Sequence, residues 1–281
     1  MKYLAIVFSF LAVLGFSACS SDSSSSVAEM AGKDVSAYLQ GAHVEKDAAI
    51  EKLKSAGFEI VTTYKPVKGG TTIVFTNDAL KAQGAKKGRA FASVLRLFVD
   101  DKEKKISFTN PIYFGKAFMQ DEYDHGVFAA QKASIEKAFT GLKGSVDKMK
   151  FDDLAGYHFM TGMPYYSDVD TLGEASNEEL LAKVKKYKKG KNVLFTLKLS
   201  KSSTLVGYDL SKRTKKFVKK IGRANGAVLP YCISIEDGKA VALEAKYYLA
   251  VSYPLLTMTE FTTIATVPGA VSKELTKPFK K

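Results

Sequence analysis

The sequence has few of the residues on which several protein classes depend. It contains no tryptophan, two cysteines and three histidines among 281 residues. Two cysteines do not build a disulfide framework, and three histidines leave little choice for a catalytic relay. Arginine is also scarce, since only four of the 42 basic residues are arginine. The formal net charge of +13 therefore indicates a lysine-rich surface, which does not favour nucleic-acid recognition through arginine.

Motifs of the common catalytic sites are missing as well. The chain has no Gly-x-Ser-x-Gly elbow, no His-Glu-x-x-His, no Gly-x-Gly-x-x-Gly and no Gly-x-x-x-x-Gly-Lys-Ser/Thr phosphate loop. None of the histidines stands beside a candidate nucleophile. We therefore expect a protein that is not an enzyme and carries no cofactor, with a copper ion as the alternative discussed below.

The first 19 residues are typical of an export signal. A short basic start precedes an apolar run over residues 4–16, which is too short to span a membrane. The stretch Gly15-Phe16-Ser17-Ala18-Cys19 resembles the lipobox of bacterial lipoproteins, which usually carry leucine where Phe16 stands. This resemblance implies a signal peptide over residues 1–18 and acylation of Cys19. Ordinary secretion with a chance cysteine is the alternative.

Residues 19–33 are predicted to form a serine-rich tether. Residues 20–26 comprise six serines and one aspartate, a composition typical of flexible linkers. In the lipoproteins of enteric bacteria, an aspartate directly after the lipobox cysteine retains the protein in the inner membrane. In this chain Ser20 occupies that position. We expect a cell-envelope protein that is lipid-anchored in the outer membrane and faces the periplasm.

The remaining chain contains an internal repeat. Lys87-Gly88-Arg89 and Ile221-Gly222-Arg223 occupy matching places in two similar series of patterns, each running helix, two strands, helix, two strands, helix. Short turns between the paired strands favour antiparallel neighbours. We predict the α+β class, with two tandem units over residues 34–145 and 150–281, each an antiparallel sheet of about four strands with helices packed on it.

The predicted elements follow the hydrophobic periodicity and the turn residues. The predicted strands are 58–67, 71–76, 91–100 and 105–110 in the first unit and 192–200, 204–208, 227–236 and 239–244 in the second. The later predicted helices are 129–142, 178–189, 258–265 and 270–276. Cys232 falls inside a predicted strand, so we expect a buried, inert thiol, with a reactive or metal-binding thiolate as the alternative.

One segment of the second unit resembles a known family. Residues 228–239 read VLPYCISIEDGK and are similar to the central hairpin of the "domain of unknown function 302" family, in which Leu-Pro enters a strand that ends in an acidic-glycine turn. The first unit has Val94-Leu95-Arg96 in this region and lacks the proline. The resemblance implies a compact α/β sandwich and transfers no catalytic residue.

Five lysines near residue 216 follow helical spacing. They are Lys212, Lys215, Lys216, Lys219 and Lys220. Phe217 and Val218 would lie on the opposite, buried face of the same helix. The lysine face is predicted to be exposed, either simply solvated or in contact with an anionic surface such as lipid phosphates.

Two other clusters suggest metal chemistry. His158, Met160 and Met163 offer imidazole and thioether ligands that suit Cu(I), provided that the segment is a loop rather than a helix. The alternative is that these side chains pack at the junction of the two units. A second cluster, Asp121, Glu122, Asp124 and His125, is either a cation site or a solvated acidic loop.

These observations leave two functional classes. The first is a non-catalytic envelope lipoprotein that binds a small ligand or a partner protein in the cleft between the units, where pockets commonly form. The second is a copper or redox accessory protein that uses the His158 region or Cys232. The expected partners are the membrane, through the lipid anchor, and an unknown ligand or envelope protein, without nucleic acid.

Overall fold

The computed structural model describes residues 23–280. The predicted signal peptide, the acylation site Cys19 and the start of the tether lie outside the described residues. The N-terminal half of the described chain is built of α1 (Ser23–Met30), β1 (Asp34–Ser36), β2 (Tyr38–Ala42), α2 (Lys46–Ser55), β3 (Glu59–Val67), β4 (Gly70–Thr76), α3 (Asp78–Gly84), β5 (Leu95–Asp100), β6 (Lys105–Thr109), α4 (Pro111–Met119), α5 (His125–Ala138), β7 (Lys143–Gly144), β8 (Lys148–Lys150) and α6 (Phe151–Leu154).

The main sheet of the N-terminal half has six antiparallel strands in the order β3-β4-β5-β6-β2-β7. Its first hairpin turns at Gly69, whose positive φ of 67° favours glycine. The central strands β4 and β5 are buried along their whole length, so both faces of the sheet are covered. Edge-to-face contacts between Phe58 and Phe75, and between Phe108 and Phe139, hold the helical layer on one face.

The C-terminal half contains a second antiparallel sheet, which has five strands. Its elements are β9 (Asp170–Glu174), α7 (Asn177–Lys186), β10 (Val193–Lys198), β11 (Ser203–Tyr208), α8 (Phe217–Ile221), β12 (Tyr231–Glu236), β13 (Lys239–Ala242), α9 (Ala245–Ser252), α10 (Met258–Thr262) and α11 (Val267–Thr276). The sheet order is β10-β11-β12-β13-β9, which corresponds strand for strand to β3-β4-β5-β6-β2.

Helix starts in both halves are set by polar caps that the sequence carries. The side chain of Asn77 accepts from the backbone N–H of Leu80 at the start of α3, and Ser176 accepts from Glu179 at the start of α7. At the start of α10, Thr257 and Glu260 form a reciprocal capping box. Such local hydrogen bonds explain why the helix starts are visible in the sequence.

The two halves meet through short 3₁₀ segments that lie on the opposite sheet. Residues Ala90–Ser93 contact β11 and β12, while Arg223–Val228 contact β4, β5 and β6. The contact is close because a Cβ atom at Gly226 would lie only 2.8 Å from the ring of Phe98. The buried apolar side chains form one core cluster that extends through both halves.

The structure confirms the α+β class and the predicted hairpins, but it corrects the width of the sheets. The first sheet has six strands and the second has five, where about four were predicted. The extra strands are β2 and β7 in the first sheet, where β2 pairs with β6 and β7 forms the edge, and β9 in the second sheet, where it pairs with β13 at the edge. These strands are only two to five residues long, so each shows little hydrophobic periodicity, and their pairing partners lie far away in the sequence.

Several predicted boundaries also change. The strand predicted over 91–100 begins only at Leu95, because the 3₁₀ segment Ala90–Ser93 precedes it, and the strand predicted over 227–236 begins at Tyr231 for the same reason. The helix predicted over 129–142 is α5, which starts earlier, at His125. Pro268 lies between the predicted helices 258–265 and 270–276, but in the structure it belongs to the first turn of α11, where proline is tolerated.

The predicted tether and the boundary between the units differ most. Ser23–Met30 is helical, and Val27 and Met30 pack against the core. Strand β8 pairs with β1, with Lys150 opposite Asp34, so the chain near residue 150 still belongs to the N-terminal half. The second sheet begins only at β9.

Candidate anion site between the two halves

A basic pocket opens where the two halves meet. It has a volume of about 480 Å³ and is lined by Lys68, Gly69, Lys102, Lys219 and Arg223. Three segments contribute, namely the β3–β4 turn, the β5–β6 turn and the region of α8. All four charged side chains in the lining are cations. The arrangement therefore concentrates positive charge from both halves around one cavity.

Arg223 is the fixed element of this pocket. Its Nη2 donates to the carbonyl oxygens of Lys68 and Gly69 at 3.1 and 2.7 Å, and it lies 2.7 Å from Oδ1 of Asp100. The preceding Gly222 lets the chain pass Tyr253, because a Cβ atom there would lie 2.6 Å from the tyrosine ring. Arg223 thus ties the C-terminal half to both turns of the N-terminal sheet.

The excess positive charge comes from the three lysines. The Asp100 carboxylate is almost fully buried beneath Arg223 and balances its charge. Lys102 has only a loose contact with the exposed Glu103, at 3.5 Å, and Lys68 and Lys219 are exposed. An exposed pair of this kind contributes little binding energy, so the ammonium groups are available to an anion.

The predicted lysine face is only partly confirmed. Phe217 and Val218 are buried, and Lys212, Lys216, Lys219 and Lys220 are exposed, as predicted. The single helix is wrong, since a 3₁₀ turn over Thr214–Lys216 leads into the short α8 and Lys212 precedes both. Of the five lysines, Lys219 lines the basic pocket.

Lys215 does not belong to the exposed face. Its ammonium lies 2.8 Å from Oδ1 of Asp209, which also accepts a hydrogen bond of 2.7 Å from the hydroxyl of Tyr64. Burial, together with the bond to Asp209, raises the pKa of Tyr64. Lys215 is therefore an internal contact between the halves, because Tyr64 belongs to β3 and Asp209 directly follows β11.

The residues of the predicted copper site lie in an irregular turn, as that prediction requires. The N–H of Met163 donates to the carbonyl of Met160 at 2.9 Å, and Gly162 has a positive φ of 81°. The ring of His158 lies against Tyr165, with 4.4 Å between centroids. Met160 is 48 % exposed, so it does not pack at the junction as the alternative supposed.

The acidic cluster near residue 122 has a structural explanation. Asp121 and Glu122 pair with Arg89 at 3.0 and 3.2 Å. Asp124 accepts from the N–H of Val127 and so caps α5, while His125 is buried. These groups are satisfied within the protein, and no cation is needed to explain them.

The structure also brings together three side chains of the types that bind metal ions, a group that the sequence analysis did not identify. His43, Glu45 and Asp101 bring one ring nitrogen and two carboxylate oxygens within 4.8 Å of one another. Asp101 lies 3.0 Å from Nε2 of His43 and Glu45 lies 3.7 Å from Nδ1. Both carboxylates are exposed, so ion pairing with the ring is sufficient to account for the cluster.

Sequence reasoning also missed the basic pocket. Lys68 and Gly69 stand in the short turn between the predicted strands 58–67 and 71–76, and Arg223 was interpreted only as part of the repeat. Lys102 stands in the turn of the second hairpin, whose tip carries no distinctive motif. A cationic residue at the tip of each of two adjacent hairpins was the available signal, but only the packing of the second half makes these residues neighbours.

Comparison with known proteins assigns no relative. No family model matches the chain, and neither the curated proteins nor the solved structures contain a match. The resemblances to the lipobox and to the "domain of unknown function 302" family stay predictions. Within residues 23–280, none of the helices has the length and apolar character needed to cross a membrane.

Proposed function

We propose that the protein is a non-catalytic cell-envelope lipoprotein, anchored through acylated Cys19, that binds a phosphate-bearing ligand in the basic pocket between its halves. The observation that carries this proposal is the convergence of Lys68, Lys102, Lys219 and Arg223 on one cavity. A volume of about 480 Å³ is within the usual range for small-molecule sites. The ligand is either a free phosphate ester or the headgroup of an anionic lipid.

The chemistry of the lining favours phosphate. Lysine ammonium groups bind phosphate oxygens as point charges and need no fixed geometry. The Gly69 backbone lies at the pocket, and its lack of a side chain leaves room for a ligand to approach the turn. Arg223 serves mainly as a scaffold, because its Nη2 is already engaged by Asp100 and two carbonyls.

Calorimetric titration at low salt tests the pocket with two probes. Glycerol 1-phosphate represents a free ester, and vesicles that contain phosphatidylglycerol represent a lipid surface. We expect the double variant Lys102→Glu/Lys219→Glu to lose about tenfold or more in affinity for the preferred probe. The matched control is Lys212→Glu/Lys216→Glu, which changes the net charge equally on exposed lysines outside the pocket.

The outcomes distinguish specific binding in the pocket from non-specific electrostatic attraction to the lysine-rich surface. Loss confined to the pocket variant supports the proposal, and the probe that binds distinguishes the two sources of phosphate. Equal loss in both double variants would mean that any contact is diffuse, because screened long-range attraction depends on net charge rather than on position. Absence of binding to either probe would contradict the proposal.

We also infer that the two halves are tandem copies of one α+β unit. The shared strand order supports this inference, as does the matched placement of Gly88-Arg89 and Gly222-Arg223 before β5 and β12. In this arrangement Asp100 at the end of β5 binds Arg223, and Glu236 at the end of β12 accepts a hydrogen bond of 2.9 Å from the N–H of Gly88. Matching carboxylates therefore bind matching loops of the opposite half.

Copper binding by His158, Met160 and Met163 is the second candidate, favoured by the irregular turn and the exposed Met160 thioether. Uptake of Cu(I) in competition with a chromophoric chelator tests it. The variant Met160→Leu/Met163→Leu should lose uptake, while Met258→Leu, which changes a comparably exposed methionine elsewhere, should retain it. Absence of uptake by the unaltered protein would exclude this candidate.

A further inference from the structure

A second cavity adjoins the basic pocket and shares Arg223 as part of its wall. Its volume is about 250 Å³, and it lies between one face of the first sheet and the 3₁₀ segment that begins at Arg223. The strand register places Gln40, Phe98 and Ser107 side by side on that face, because Gln40 and Phe98 both pair with Ser107. Three neighbouring strands thus form the floor of the cavity.

The wall of this second cavity contains polar atoms that lack partners. Among the described residues, Oδ2 of Asp100 has no hydrogen-bond donor and Nε of Arg223 has no acceptor. The hydroxyl of Ser107, which acts both as donor and as acceptor, is unpartnered as well. A buried polar group without a partner costs free energy, so this wall favours a polar occupant over an apolar one. The best match is a group that brings both donors and acceptors.

Charges of both signs line the second cavity, whereas the charged side chains at the basic pocket are all cations. Asp100 and Arg223 are paired with each other, so their charges are balanced. Glu103, in the β5–β6 turn, and Lys105, at the start of β6, are exposed members of the lining. One carboxylate close to one ammonium is complementary to an α-amino acid group, which carries an ammonium and a carboxylate on the same carbon.

The two cavities are close enough to hold one small ligand between them. Oε1 of Glu103 lies 3.5 Å from Nζ of Lys102, which lines the basic pocket. Nη2 of Arg223 lies 2.7 Å from Oδ1 of Asp100 and 2.7 Å from the carbonyl oxygen of Gly69, and these two residues belong to different linings. A phosphate bound by Lys102 would draw this ammonium away from Glu103, whose carboxylate could then receive the ammonium of the ligand.

We propose that the phosphate-bearing ligand carries an α-amino acid group, as O-phosphoserine does, and that this group occupies the second cavity. Glu103 binds the ammonium and Lys105 binds the carboxylate, while the phosphate lies among the lysines of the basic pocket. The inference rests on the proposed function, because the basic pocket holds the other end of the ligand. The same chemistry occurs in free phosphoserine and in the headgroup of phosphatidylserine, so the test has an arm for each source.

Calorimetric titration of the full chain in detergent compares three soluble phosphate monoesters. O-phosphoserine carries both the ammonium and the carboxylate, ethanolamine phosphate carries only the ammonium, and glycerol 1-phosphate carries neither. We expect O-phosphoserine to bind about tenfold more tightly than glycerol 1-phosphate. Glu103→Gln should remove the advantage that the ammonium gives, and Lys105→Gln should remove the advantage that the carboxylate gives.

The lipid arm uses two deacylated headgroups in the same titration. Glycerophosphoserine and glycerophosphoglycerol carry the same net charge, so a preference between them reports the amino acid group rather than general electrostatic attraction. Tighter binding of glycerophosphoserine than of O-phosphoserine would assign the lipid headgroup as the source, and the reverse order would assign the free ester. The matched controls are Glu51→Gln and Lys212→Gln, which change exposed residues outside both linings and should keep every preference.

Two failures are distinguishable. Equal affinity for O-phosphoserine and glycerol 1-phosphate, together with equal affinity for the two headgroups, would overturn this inference and leave the phosphate pocket in place. Absence of binding by every probe would overturn the proposed function and this inference with it. Retention of the full preference in both Glu103→Gln and Lys105→Gln would also contradict the assignment, because the amino acid group would then lie outside the second cavity.

Discussion

Tyr113 and Tyr247 make the same hydrogen bond in opposite directions across the junction of the two halves. The hydroxyl of Tyr113 donates to the carbonyl of Val251 at 2.8 Å, and the hydroxyl of Tyr247 donates to the carbonyl of Ala117 at 3.2 Å. The same number of residues separates the two donors and the two acceptors along the chain. Helices α4 and α9, which carry them, are thus joined by a reciprocal pair of bonds.

We expect Tyr113→Phe and Tyr247→Phe to destabilise the protein by similar amounts. Both tyrosines are fully buried, and each substitution removes a buried hydrogen bond to a helix carbonyl, at a cost of about 1 to 2 kcal/mol, although the carbonyl of Ala117 keeps a second donor in Nε2 of Gln120. Urea unfolding measures the change. Tyr165→Phe is the control, because Tyr165 is 43 % exposed and should change the free energy of unfolding little. A neutral result for either core variant would contradict the reciprocal role.

The largely buried Asp100–Arg223 pair should contribute more to the free energy of unfolding than the exposed ion pairs of the protein. Asp100→Asn keeps an acceptor for the β5–β6 turn but removes the negative charge beneath Arg223, so we expect a loss of about 1.5 to 3 kcal/mol. The neighbouring substitution Asp101→Asn removes an exposed carboxylate and should cost less than about 1 kcal/mol.

A double-mutant cycle with Arg223→Met isolates the Asp100 contact. Because Asp100→Asn leaves the arginine charge unpaired, the double variant should be less destabilised than the sum of the single variants. Strict additivity would show that the two charges do not interact in the folded state.

Acid should weaken the contact between α11 and the segment before α8. Burial opposes ionisation of Glu274, but hydrogen bonds from Ser211 and Thr214 outweigh it and hold the pKa of this carboxyl below its usual value. A lowered carboxyl pKa stabilises the fold above the unfolded pKa, and that contribution is lost as the pH falls through the folded value. Glu274→Gln should therefore flatten the loss of stability below about pH 4.5.

The free energy of unfolding between neutral pH and pH 3 checks this expectation. Glu178→Gln is the control, since Glu178 is an exposed carboxyl in the first turn of α7. If Glu274→Gln and the control retain the same acid dependence, the hydrogen bonds from Ser211 and Thr214 do not govern the titration.

Membrane attachment should depend on Cys19. The apolar run, the Ala18-Cys19 pair and the serine-rich segment together predict acylation, and two or more acyl chains on one residue hold a protein stably on a bilayer. Cys19→Ala should move the protein from the membrane fraction to the soluble fraction of the envelope. Cys232→Ala, which alters the other cysteine, should not. Membrane retention of Cys19→Ala would contradict the lipid anchor.

The sequence alone predicted the elements whose cause is local. The turns at Gly69 and at Asp237-Gly238 adopt positive φ values, and the strand ends that adjoin these turns were predicted to within one residue. The burial of Phe217, Val218 and Cys232 and the exposure of four of the five lysines were also predicted, because alternation and helical periodicity report which face is apolar.

Only the tertiary structure decided which distant groups meet. The placement of β2 beside β6, the pairing of Lys215 with Asp209 and Tyr64, the basic pocket and the contact of Arg96 with Cys232 all join residues from separate segments. Propensity, capping and periodicity act over a few residues and carry no information on such partners. Arg96 shows the limit best: its sequence neighbours predict only a strand, and packing of the second half buries its guanidinium beside Cys232.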